Sequence, residues 1–270
     1  MTSQHDNLID ALIVMAQQAG QAVMAIYGTE IHVERKTDHS PVTQADNLAE
    51  EIILAALAKT APDIPVISEE AASQGIIPDV EETFFLVDPL DGTREFIKQN
   101  GEFTVNIALI ENTKPVMGVV YAPALSRMFW ASSPAQAFET QLGLNDKFEQ
   151  ATPKPLRVRK PPDDGLVMVS SRSHGDPATQ EMISGYTIKD TLIAGSSLKF
   201  CLIAASEADI YPRAGRTMEW DTAAGQAVLT AAGGAVLTVE GTPLAYGKKQ
   251  DNFANPPFIA HGQIMERQDI

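Results

Sequence analysis

Residues 86–96 read LVDPLDGTREF and set two aspartates three residues apart, Asp88 and Asp91, with Pro-Leu between them and Gly-Thr behind them. Paired carboxylates of this kind can hold a hard cation, and a Gly-Thr that opens a helix offers backbone amides to an anion. Other acids that a fold could gather beside them are Glu69 of the Glu69-Glu70 pair, Asp46, and Asp221 after Trp220. Each has a bland reading too: Glu70 as a solvated loop charge, and Asp46, Asp91 and Asp221 as helix N-caps. The bland reading does not account for Asp88, because a carboxylate at the buried end of an apolar strand is costly unless paired or bound to a cation. With a single cysteine and no clustered histidine, such a carboxylate site favours Mg²⁺ over Zn²⁺.

Two other acidic motifs fail on this sequence. Phosphatases of the haloacid-dehalogenase type also carry Asp-Gly-Thr but need a nucleophilic aspartate two residues before that aspartate, and Pro89 stands there. An EF-hand loop closes on an acid at its twelfth position, which counted from Asp88 is Gln99.

The elements that must position these acids follow from periodicity. FFLV at 84–87 predicts a buried strand with Asp88 at its carboxyl end, Pro89 biases the chain to stay extended, and Asp91 is placed to cap the helix TREFIKQ. Residues 8–27 carry Leu8, Leu12, Met15, Ala19, Val23 and Ile26 at helical spacing and stop at Gly28. A second helix over 45–59 puts Leu48, Ile52, Ala55 and Leu57 near one face, after the polar connection KTDHSPVTQAD. PVIS at 65–68, TVNIALI at 104–110 and PVMGVVYAP at 115–123 read as further strands. Beyond the proline-rich stretch 151–164 come a strand LVMVSS, helices SSLKFCLIAASEA and DTAAGQAVLTAAG, and a strand GAVLTV. The prediction is an α/β protein with mixed sheets covered by helices, divided into parts 1–155 and 156–270, with LRV at 156–158 as a candidate short strand. Ligands in such folds collect at strand ends and helix starts.

A balance of 20 Lys+Arg against 35 Asp+Glu gives a net charge of -15, which repels a nucleic-acid polymer but admits a small anion once a cation is bound. Cys201, within LKFCLIAA, reads as a buried structural thiol. No basic-then-apolar leader is visible, and the uncharged run 222–239 is broken by three glycines and falls short of a membrane span. A cytoplasmic protein is expected, compatible with peripheral attachment to the inner face of a membrane, as monomer or homodimer.

SEE at 68–70, DPLDGTREF at 88–96 and WDTAAG at 220–225 together resemble the inositol monophosphatase superfamily of Mg²⁺-dependent, Li⁺-sensitive phosphatases, over nearly the whole chain. KTDHSPVTQAD, GVVYAPA, SRSH and GSSLKFCLIA are most similar to its CysQ-type 3'(2'),5'-bisphosphate nucleotidase branch. The resemblance implies a layered αβαβα sugar-phosphatase fold, and it implies roles by position. Glu69, Asp88 and the Leu90 carbonyl would hold one Mg²⁺, and Asp88, Asp91 and Asp221 a second, with a third ion left open. Thr93 would link the attacking water to Asp46, with Glu69 helping to deprotonate it, and the amides of Gly92 and Thr93 would receive phosphate oxygens. Ser171, His174, Gly195 and Lys199 would bind the nucleotide, Lys199 meeting its second phosphate. Trp220 is expected to pack under the site, and Arg94 and Lys98 to face solvent. Glu219 has no role in that pattern, and an acid there that touches a sugar hydroxyl would favour an inositol-like substrate. The function implied is release of the 3'-phosphate of adenosine 3',5'-bisphosphate in sulfur metabolism. The alternatives are another sugar phosphatase of the superfamily, or a catalytically silent metal- or nucleotide-binding regulator.

Overall fold

The structure is a computed structural model that describes residues 2–29, 33–35, 41–171 and 177–263. Helix α1 (Thr2–Ile26) is followed by β1 (Val33–Arg35), which pairs antiparallel with β2 (Pro41–Thr43), then by α2 (Gln44–Thr60). Next, β3 (Val66–Ser68) runs into α3 (Glu69–Ser73), and β4 (Thr83–Asp91) into α4 (Thr93–Ile97). A meander of β5 (Thr104–Glu111), β6 (Lys114–Ala122), β7 (Arg127–Ser133), β8 (Gln136–Gln141) and β9 (Lys154–Pro155) closes the first half. The second half holds β10 (Leu166–Ser170), α5 (Pro177–Ile183), β11 (Ile188–Ile193), α6 (Leu198–Ala204) and β12 (Ile210–Arg213). It ends with β13 (Thr217–Met218), α7 (Ala223–Ala231), β14 (Ala235–Thr238), β15 (Ala254–Asn255) and β16 (Phe258–His261).

Strands β3 to β9 form one seven-stranded sheet in sequence order, with only β3 and β4 parallel. The second sheet runs β11-β10-β12-β16-β14, parallel at β10 and antiparallel at β16. Both sheets are mixed, as the alternation of strand and helix patterns predicts. Successive residues of β4 and β5 serve opposite layers: Phe85, Val87, Val105 and Ile107 pack with α1 and α2, whereas Phe84, Leu86, Ala108 and Ile110 pack with α6 and α7. The far side of α6 and α7 meets Val167, Val169, Tyr211 and Phe258 of the second sheet, whose outer face packs Leu166, Met168 and Ile210 on Ile183 of α5. The layers are therefore αβαβα. Small residues let α7 lie between the sheets: a Cβ on Gly118 of β6 would come within 2.7 Å of the Ala224 carbonyl.

Four sequence expectations need correction. Helix α2 buries Ala45, Asp46, Ala49, Glu50, Ile53 and Leu57, while Leu48 and Ala55 are exposed; its inner face carries alanines for close packing on α1 and acids for the site. LRV at 156–158 is not a strand, although the Val158 N–H bonds the Ala232 carbonyl. Asp91 is not an N-cap: it ends β4, and Gly92, at φ 92°, caps α4 without a side-chain bond. Asp46 and Asp221 are not N-caps either, since Thr43 and Thr222 occupy those positions. Among the described residues one helix, α1 over Asn7–Ile26, is long and apolar enough to cross a membrane, and its buried face packs on α2 and β6 as a core helix does.

Candidate functional site

Register brings Glu69 to Asp88. Strands β3 and β4 run parallel with Ser68 opposite Val87, so the residues that follow, Glu69 at the start of α3 and Asp88 still within β4, lie side by side. The pairing of β4 with β5 places Asp88 opposite Asn106 and Asp91 opposite Thr104. Three steps on β4 thus match two on β5, and the extra residue is a bulge at Pro89-Leu90. Aspartates three apart on a regular strand point to opposite faces; the bulge turns Asp91 back to the face of Asp88. Proline suits the bulge because no N–H is needed there. The Leu90 N–H bonds Asp88 Oδ1 at 3.1 Å and fixes that side chain.

Asp221 arrives from the other half of the chain, in the turn between β13 and α7, where the Met218 N–H bonds its Oδ2 at 2.8 Å. Ser197, just before α6, ties the halves together. Its N–H bonds Asp91 Oδ2 at 2.6 Å, its hydroxyl bonds the Asp221 carbonyl at 2.6 Å, and it receives Asn106 Nδ2 at 3.0 Å. Asn106 Nδ2 also lies 3.3 Å from Asp91 Oδ2. Neither Ser197 nor Asn106 was singled out from sequence, although an amide inside the apolar run TVNIALI was a signal.

Ligand oxygens of Glu69, Asp88 and Asp221 lie within 4.8 Å of one another. Burial, and then the carboxylates of Glu69, Asp91 and Asp221, push the Asp88 carboxyl well above the usual carboxylate range. Burial and the carboxylates of Asp91 and Glu69 do the same to Asp221, against the Met218 N–H and Arg213. Burial also raises Asp91, to about 6, with Lys199 and the Ser197 N–H opposing the rise. A cluster of oxygen donors that raise one another's proton affinity fits a hard cation, which removes the repulsion that protons otherwise relieve.

Thr93, the first residue of α4, holds its hydroxyl 3.1 Å from Asp46 Oδ1 and 3.3 Å from the Leu90 carbonyl. Asp46 is oriented through its other oxygen, which accepts the Thr43 N–H and hydroxyl, both at 2.7 Å, in a capping box. Glu50, one turn further along α2, was missed from sequence. Its carboxylate receives the N–H groups of Glu70 and Ala71 at 2.9 and 3.0 Å and so fixes the turn that carries Glu69.

A cavity of about 610 Å³ is lined by Glu69, Asp88, Asp91, Asp221, Gly92 and Thr93, and also by Arg94, Arg213 and Arg216. Trp220 is 7% exposed, forms part of the wall and packs on Phe253, as expected. Arg94 is exposed but borders the cavity; the arginines of the β12–β13 turn were not singled out from sequence. Ser171, Gly195 and Lys199 are not among the lining residues, and His174 lies outside the described residues. Gly195 packs so tightly that a Cβ would come within 2.4 Å of the Glu102 carbonyl. Lys199 is 5% exposed, donates to the Ser196 carbonyl at 2.6 Å and lies over the Tyr211 ring. Burial brings its ammonium down to about 8. Glu219 does not reach the cavity. It is fully buried, accepts the Gly247 and Lys248 N–H groups at 2.7 and 2.8 Å and pairs with Lys248 Nζ, which overturns its reading as a sugar contact.

The model of the inositol monophosphatase family matches residues 4–269. The Escherichia coli (strain K12) protein named 3'(2'),5'-bisphosphate nucleotidase CysQ is 43% identical over 253 residues, covering 93% of this chain and 98% of that protein. The Buchnera aphidicola protein of the same name is 40% identical, covering 94% and 93%. Among solved structures, CysQ from Bacteroides thetaiotaomicron superposes with a TM-score of 0.79 at 36% identity, covering 97% of this chain and 98% of that one. A motif set spread over both halves, a family model over nearly the whole chain and likeness over almost the full length of these relatives agree: the chain belongs to the inositol monophosphatase family.

Proposed function

We propose that this chain is a Mg²⁺-dependent 3'(2'),5'-bisphosphate nucleotidase of the cytoplasm, which converts adenosine 3',5'-bisphosphate to AMP and phosphate and so clears a by-product of sulfate activation and sulfotransfer. The convergence of Glu69, Asp88, Asp91 and Asp221 on one cavity, with the Thr93–Asp46 pair at its edge, carries this reading. The names borne by the relatives from Escherichia coli and Buchnera aphidicola support the choice of substrate.

In this reading Glu69, Asp88, Asp91, Asp221 and the Leu90 carbonyl would hold the cations, two or three in number. Bound there, Mg²⁺ supplies neutralisation of the phosphate charge and a lowered pKa for a water. The chain's own residues do the rest. Asp46 has one oxygen occupied by Thr43, so its other oxygen accepts a hydrogen bond from the Thr93 hydroxyl and leaves a Thr93 lone pair to accept a hydrogen bond from the attacking water. Glu69 stands beside that water as a proton acceptor. The amides of Gly92 and Thr93 receive phosphate oxygens. Pro89 occupies the position of a nucleophilic aspartate, so water attacks directly and no phospho-enzyme forms. The parts 1–155 and 156–270 act as two halves of one site, the first giving Glu69, Asp88 and Asp91 and the second Asp221.

The test is phosphate release from adenosine 3',5'-bisphosphate beside inositol 1-phosphate and fructose 1,6-bisphosphate, with Asp91→Asn as background. Preference for either of the last two sinks the nucleotidase reading and leaves a phosphatase. Tight metal binding by calorimetry with no release across a broad panel of phosphate monoesters favours a silent regulator instead.

A further inference from the structure

Ser197 stands at the N-cap of α6, where a serine ordinarily turns its hydroxyl onto the free N–H groups of its own helix, yet here the side chain caps nothing. Its hydroxyl instead donates to the Asp221 carbonyl at 2.6 Å and accepts from Asn106 Nδ2 at 3.0 Å, while the Ser197 N–H donates to Asp91 Oδ2 at 2.6 Å. Asn106 Nδ2 closes the ring, 3.3 Å from that same oxygen of Asp91. One residue, 1% exposed, thus joins three elements far apart in the chain: β4 at Asp91, β5 at Asn106, and the turn between β13 and α7 at Asp221. Both donors to Asp91 take Oδ2, and the Met218 N–H takes Oδ2 of Asp221, which leaves the other oxygen of each carboxylate for a cation. The Met218 bond fixes Asp221 only within its own turn, and the Ser197 hydroxyl ties that turn to the residue that holds Asp91.

We propose that Ser197 is a positioning residue for the cation site: its hydroxyl, with Asn106, fixes Asp221 against Asp91, so that cation affinity depends on how α6 is seated between the two sheets. The inference rests on the cation-binding part of the reading above and not on its choice of substrate. Two buried carboxylates that repel one another draw apart unless the chain holds them. Mg²⁺ demands near-ideal octahedral geometry, so ligands displaced by more than about 0.5 Å lose affinity. A serine that only packs α6 into place would change stability and leave cation affinity as it was.

Calorimetric titration of the full chain with Mg²⁺ tests this, without substrate, beside melting in EDTA. Ser197→Ala is expected to weaken Mg²⁺ binding about tenfold, as loss of a partner that orients a ligand does. Ser197→Cys, of nearly the same size but a poor donor, weakens it as much, and Ser197→Thr, which keeps the hydroxyl, recovers part of the loss. Ser197→Ala combined with Asn106→Ala falls well short of the product of the two single losses, about a hundredfold, because both substitutions break the same Asn106–Ser197 bond. Unchanged Mg²⁺ affinity in Ser197→Ala and Ser197→Cys, with a lower melting midpoint in EDTA, makes Ser197 a packing residue and overturns the inference. A double loss equal to the product overturns it too, since the two side chains then act separately. Either result in a protein that still hydrolyses adenosine 3',5'-bisphosphate leaves the nucleotidase reading standing. A wild-type protein that binds no Mg²⁺ overturns that reading and the inference with it.

Discussion

Replacing Glu219 by alanine separates a structural acid from a sugar-binding one. The side chain is fully buried, and its two oxygens accept the Gly247 and Lys248 N–H groups at 2.7 and 2.8 Å, with Lys248 Nζ at 2.8 Å. Alanine leaves two N–H groups without acceptors, at about 1–3 kcal/mol each, and strips a partly buried ammonium of its carboxylate. Breaking a buried pair from one side costs about 3–5 kcal/mol in total, since Lys248 keeps the Ala245 carbonyl and Asn255 as partners. At about 2–4 °C per kcal/mol for a chain of this size, the melting midpoint falls by roughly 6–20 °C. Glu219→Gln keeps one acceptor and opposes the other N–H with an amide, so it loses about half as much. Calorimetric melting and urea titration give the stability, and KM for adenosine 3',5'-bisphosphate and inositol 1-phosphate is measured well below the midpoint. The ratio of the two KM values is expected to stay at the wild-type level. A melting midpoint that does not move, together with a KM for inositol 1-phosphate that rises several-fold, refutes the reasoning and restores Glu219 as a sugar contact.

Asp88→Asn removes a buried charge from a repelling cluster, so the metal-free protein melts higher than wild type, while the rise in midpoint on adding Mg²⁺ and the turnover are both lost; differential scanning with EDTA and with Mg²⁺ reads both. Asn106→Ala frees Asp91 from its amide neighbour, and Mg²⁺ affinity measured by calorimetry drops about tenfold or more. Thr93→Val leaves the carboxylates in place but cuts the link to Asp46; kcat falls by about 10²-fold or more with Mg²⁺ affinity unchanged, the split being read from kinetics and calorimetry. Burial lowers the pKa of His261 in the fold, so the unfolded chain binds its proton more readily, and its share of stability is present above the usual histidine value and lost as pH falls. Urea midpoints of wild type therefore drop more between about pH 7 and pH 5 than those of His261→Gln.

Several of these features were legible in residue types, and others depend on register. An apolar strand ending in Asp88, with Pro89 behind it, shows from the sequence alone that the carboxylate needs a cation or a partner. That Asp91 faces the same way does not show, because spacing of three on a strand predicts opposite faces; only the bulge against Asn106 and Thr104 reverses it. For the same reason Asp91 read as a helix cap, while the chain uses the positive φ of Gly92 instead. In α2 the hydrophobic pattern favoured Leu48 as inward, yet Ala45 and Ala49 face α1 and bring Asp46 and Glu50 into the interior with them. The acid in EWD looked like part of the site by adjacency, and its partners lie beyond residue 245, which no local pattern announces. Arg213 and Arg216 are two of 20 basic residues in the sequence, and nothing local separates a cavity arginine from a solvated one.

The way the carboxylates are held explains how the cluster stays reactive toward a cation. Asp88 is tied by the Leu90 N–H, Asp91 by the Ser197 N–H, Asp221 by the Met218 N–H and Asp46 by the Thr43 N–H, while Glu50 fastens the Glu69 turn through backbone amides. Arginine or lysine in those positions would orient the acids equally well, but would also cancel the field that attracts a divalent ion. Backbone amides fix the rotamer and leave the net charge in place. Arginines line the same cavity, Arg94 at the start of α4 and Arg213 and Arg216 at the β12–β13 turn, and they offset part of the acids' field where an anionic substrate enters. A cavity lined by both signs of charge suits a ligand delivered as a polyanion to a site already loaded with cations.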